Sequence, residues 1–191
     1  AKYAEHASKC RVGPGFAWRH ALLRNALGDW LAEVYDQWAV TFEQRIPGWD
    51  KTTEQGIKQA ILDVVLAYPG GRVCLDVSVA EVLASPSDDA GARLRARVPG
   101  AAARQRELRK HTRYPGPGLC AAVVESGGRM GAELLAFLRA HAPTDCGRSR
   151  AEVLADVKQR LVVAVARGHS AMLLHSAGSH ARPWPSPCQP V

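Results

Sequence analysis

Apolar residues recur at three- and four-residue steps between residues 17 and 38. Leu23, Leu27, Trp30, Leu31, Val34 and Trp38 form one stripe, which predicts an amphipathic helix. The period then changes. "VTFEQRI" at 40–46 alternates apolar and polar residues and predicts a strand that ends at Pro47. Residues 48–59 are polar and read as a loop. Two apolar runs, 61–68 and 72–79, flank "PGG" and predict a β-hairpin.

Pro86 and Pro99 break the next stretch into helical pieces and loop. "AAARQRELRKHTRY" at 101–114 predicts a strongly basic helix, stopped by "PGPG". "LCAAVVES" at 119–126 predicts a fourth strand, and helices are expected over 129–141 and 150–167. The order is helix, three strands, helix, strand, then helices, which implies an α/β or α+β sheet with helices packed on it. The chain divides into a short polar module at 1–15, one main domain at 16–170 and a Pro-rich, disordered tail at 171–191.

Composition narrows the class. Of 191 residues, 47% are apolar, as in a globular chain, yet no apolar run reaches the length of a membrane span. A net charge of +7 points to a polyanionic partner, DNA first and RNA second, although Arg-rich coding bias also produces such a balance. Five irregularly spaced cysteines argue against a disulfide framework and for a reducing, intracellular setting. Walker, Rossmann and H-E-x-x-H patterns are missing from the sequence.

The hairpin carries the chemistry. Each of its runs has one aspartate, Asp63 and Asp76, and stripping water from an unpaired carboxylate is costly. With Gly70-Gly71 as the tight turn, Tyr68 faces Val73 and Asp63 lies opposite Ser78. Asp76 is then a diagonal neighbour on the same face. The opposite face, Leu62, Val64, Leu66 and Tyr68 with Val73, Leu75, Val77 and Val79, is continuously apolar. Two carboxylates that close can share a divalent ion, or can simply be solvated. Arg106, Lys110 and Arg113 follow at i, i+4 and i+7 on the basic helix, a row suited to a phosphate backbone or to water. Arg104, Arg109 and Tyr114 extend that candidate DNA-binding surface.

This order of elements resembles the restriction-enzyme-like PD-(D/E)xK endonuclease domain of non-LTR retrotransposon proteins. Twelve residues separate Asp63 from Asp76, within that group's spacing, and "LRKHTRY" matches its K…Y context on the following helix. The resemblance implies Mg²⁺ or Mn²⁺ on Asp63 and Asp76, with Glu43 as a weaker extra ligand, and Lys110 as the catalytic lysine. "EHASKC" resembles the end of a CCHC zinc knuckle, making His6 and Cys10 the last two Zn²⁺ ligands in a longer parent chain. The parent would carry a polymerase upstream and act in the nucleus. There are departures: Ala60-Ile61-Leu62 replaces the basic-Pro pair before the first aspartate, and Asp76-Val77-Ser78 lacks its lysine. The implied function is target-DNA nicking. An inactive, nucleic-acid-binding relic of the fold and a non-enzymatic interaction domain are the alternatives.

Overall fold

The computed structural model describes residues 14–82, 89–144 and 147–177. His6 and Cys10 lie outside them, as do Cys146, Cys188 and the tail from 178 onward, whereas Cys74 and Cys120 are buried free thiols. The fold is mixed α and β. Helix α1 (Pro14–Tyr35) is followed by β1 (Val40–Arg45), the short strands β2 (Lys51–Thr53) and β3 (Gly56–Lys58), then β4 (Ile61–Tyr68) and β5 (Gly71–Ala80). Helices α2 (Asp89–Arg97) and α3 (Ala101–Arg113) lead to β6 (Leu119–Glu125). Helices α4 (Ala132–His141) and α5 (Arg150–Ala177) complete the described chain.

The main sheet has the order β1-β4-β5-β6, with three antiparallel strands and β6 parallel to β5. A parallel neighbour needs a crossover, and α2 and α3 supply it. The apolar face predicted for the hairpin is covered by α1, α4 and α5. There Leu23, Leu27, Leu31, Leu66, Leu75, Val77, Leu138 and Leu161 form the principal core. Helix α3 lies on the other face, where Ala102 and Ala103 meet Ala121 and Val123. A separate apolar cluster on that side joins Ile46, Ala60, Leu62, Val65, Cys74 and Tyr114.

Several expectations need correction. The described part of helix α1 begins earlier, at Pro14, and the helix ends at Tyr35. Asp36 takes a positive φ of 87° and caps the short 3₁₀ turn Gln37–Ala39, so Trp38 leaves the stripe and is 84% exposed. The polar loop contains a ribbon, because β2 and β3 pair with each other as a sheet of their own. Helix α5 runs on to Ala177, so residues 171–177 are helical, not disordered.

The hairpin turn is Pro69-Gly70, not Gly70-Gly71: Tyr68 pairs with Gly71, and Val64 with Leu75. Gly71 takes the positive φ of 128° that a side chain would resist. This register, shifted by two residues, aligns Asp63 with Asp76 rather than with Ser78. Leu62 also departs from expectation, since it packs with Val65 and Cys74 instead of with Val64 and Leu66. Strand β4 therefore changes face at Asp63. Opposite it on β1, Glu43 sits at φ 51°.

Candidate metal-dependent nucleic-acid site

A cleft of about 270 Å³ opens where the start of α1 meets α3 over the polar end of the hairpin. Asp63 and Asp76 are among its lining residues, with His20 from α1, Ser78 from β5, and Arg106, Lys110 and Arg113 from α3. The helical row read from sequence thus faces the two aspartates as a unit. Arg104 and Arg109 are exposed outside the cleft. Tyr114 is buried against Trp49, with ring centroids 6.3 Å apart, and it lines the cleft as wall rather than as an exposed contact. Glu43 is turned away to Arg24, with which it forms an exposed ion pair.

The two carboxylates are held differently. Asp63 Oδ1 lies 2.8 Å from His20 Nε2, and its Oδ2 accepts a hydrogen bond of 2.6 Å from the Val77 amide. The bend in β4 makes the second contact possible, because the Asp63 side chain takes an amide that a straight ladder would give to backbone. Burial pushes the Asp63 pKa up, but His20, Asp76 and the Val77 amide outweigh it, so the group stays below the usual carboxylate range.

Asp76 is only 5% exposed, and burial pushes its pKa up to about 6. Lys110 opposes that shift while Asp63 adds to it. Lys110 Nζ stands 2.6 Å from Asp76 Oδ2, yet that oxygen accepts no well-angled hydrogen bond among the described residues. Ser78 Oγ, two residues along on the same face, is also buried and has no hydrogen-bond partner among the described residues.

These features fit a hard divalent cation. Among the described residues no three or more His, Cys, Asp and Glu side chains form a ready cage. Mg²⁺ does not require one, since it keeps several waters and is bound through one or two carboxylates plus phosphate oxygens. Two carboxylates converging on one cleft, one of them buried and paired to Lys110 at 2.6 Å, are that kind of donor set.

Two side chains that line the cleft escaped the sequence reading as individual residues. His20 lies on the helix read from the apolar stripe, where nothing in the sequence pairs it with Asp63. Arg19, 2% exposed, is bound through Nη1 to Glu81 and lies 2.6 Å from His169 Nε2, tying α1 to the end of β5 and to α5. A signal was present: Arg19 stands four residues before Leu23, at a stripe position where an apolar residue is expected. No protein-family model matches the chain, and comparison with curated proteins finds no match.

Proposed function

We propose that this domain is a metal-dependent DNA endonuclease of the PD-(D/E)xK type, the target-nicking domain of a non-LTR retroelement protein. One observation carries the reading. Asp63 and Asp76 face one another in a single cleft, and Lys110 delivers its ammonium to Asp76 from the following helix. The strand motif ends in Ser78, so a lysine from α3 supplies what the strand lacks. The bend at Asp63, present despite the missing proline, also supports it.

A bound Mg²⁺ would polarise a phosphoryl oxygen and acidify an attacking water. The protein's share is positioning and charge. His20 and the Val77 amide hold the Asp63 carboxylate ionised and fixed in direction. Lys110 orients the water or neutralises charge growing on the phosphoryl oxygens, where one donor is worth on the order of 10²–10³ in rate. Arg106 and Arg113, one turn to either side, receive flanking phosphates. No helix among the described residues is long and apolar enough to cross a membrane. The basic side chains at the cleft are better matched to a nucleic-acid backbone.

The test is Mg²⁺-dependent nicking of supercoiled plasmid. Wild type should convert it to open circles, and Asp76→Asn and Lys110→Ala should each abolish the conversion. A folded protein that binds DNA but never nicks would leave a non-cleaving relic of the site.

A further inference from the structure

The ribbon β2–β3 stands apart from the main sheet, and all six of its residues are exposed. Two-stranded hairpins are marginal in water by themselves, so this one depends on its neck. The neck is firmly fastened. Trp49 packs against Tyr114, and Asp50 binds Arg45 while accepting a 2.8 Å hydrogen bond from the Ala60 amide. Lys51 Nζ donates to the Thr112 carbonyl at 2.7 Å, pinning the ribbon to the last turn of α3. A Cβ on Gly116 would overlap the Trp49 indole, so the chain after α3 also closes on this neck.

The bare part of the ribbon has an unusual surface. Its register sets Lys51 opposite Lys58 on one face; the Thr112 carbonyl engages the Lys51 ammonium, and Lys58 is exposed. Thr52 and Ile57 occupy the other face, and Ile57 is 67% exposed. The ribbon's neck rests on Tyr114 and Thr112, next to the exposed Arg109 and Arg113 of α3, so the basic surface runs from the cleft onto the ribbon. A B-form major groove is wide enough to admit a two-stranded ribbon, whereas the A-form RNA groove is too narrow for side chains to read.

We infer that β2–β3 is a DNA finger that enters the major groove of the duplex beside the nicking cleft, with Lys58 on a phosphate and Ile57 and Thr52 against base edges. This deepens the nuclease reading and rests on it for the partner. The test is equilibrium binding of a fluorescent DNA duplex in EDTA, so that cleavage plays no part, over a series of salt concentrations. Lys58→Ala should lower the slope of log affinity against log salt by roughly 0.9, one phosphate's share. Ile57→Ala should weaken binding on the order of tenfold with the slope unchanged, as lost apolar contact does. Neither change should alter binding to an RNA duplex of the same sequence.

If both variants bind DNA as wild type does while Arg113→Ala binds less tightly, the finger is overturned and the nuclease reading stands. Equal losses on RNA and DNA would overturn it too. Ribbon-dependent DNA binding by a protein that nicks nothing would uphold the finger and sink the nuclease. A wild-type protein that binds no duplex would sink both.

Discussion

Asp76 is a carboxyl group whose burial favours the neutral form more than water does, and its titration should be measurable. The folded state holds the proton up to about 6, whereas the unfolded chain releases it near the ordinary carboxylate value of 3.8. This group's contribution to stability therefore falls as pH rises across that window. A divalent cation favours the ionised form and should reverse the loss. Ca²⁺ is expected to raise the melting temperature clearly at pH 7.5 and hardly at pH 5, with no effect on Asp76→Asn. Differential scanning fluorimetry decides it. Lys110→Met removes the ammonium that opposes the upward shift, so the pH at which Ca²⁺ begins to stabilise should move higher. His20→Ala frees one oxygen of Asp63 from its fixed direction. Nicking should drop by at least tenfold while duplex binding in EDTA is retained.

Helices and strands show where the sequence was readable and where it was not. The long apolar runs announced β4, β5 and β6, and the stripe announced α1, because burial imposes those periods directly. The hairpin register was not readable. Pro69-Gly70 and Gly70-Gly71 are both acceptable turns, and only pairing along the whole ladder selects between them. The ribbon was hidden because strands of three exposed residues leave no period, and its neck depends on Trp49 and Tyr114, far apart in the chain. His20 was hidden because an aspartate on a bent strand gives it meaning only in three dimensions.

The α1–α5 crossing makes a prediction at this same scale. A Cβ on Gly168 would lie 2.7 Å from Arg19 Cα, a backbone atom that cannot swing aside. Gly168→Ala should destabilise by about 1–3 kcal/mol in a urea titration and reduce nicking through α1, which carries His20. At the other end of α1, Tyr35 Oη lies 2.6 Å from His141 Nδ1, and Phe137 and Tyr68 pack against the same imidazole. Burial lowers the His141 pKa below its usual 6.5. The stability tied to its neutral form is complete above 6.5 and is lost as pH falls below it. His141→Gln should flatten the decline in melting temperature between pH 7 and pH 5.

For the whole molecule, the distribution of charge matters more than its sum. Cations of α1 and α3 stand around the cleft, while the acidic side chains within it are the two aspartates of the site. The sheet's outer boundaries have a consequence of another kind. Strand β6 has its free side closed by its own surroundings: Glu133 takes the Ala121 amide, Gly131 donates to Val123, and Met130 bridges to Val124. Strand β1, at the opposite boundary, is exposed over five consecutive residues, but the left-handed backbone at Glu43 breaks its straight run of donors and acceptors. A charged, kinked rim is a poor template for another chain. The sheet thus ends at four strands, and the irregularity that accompanies the bend at Asp63 also guards concentrated protein against edge-to-edge aggregation.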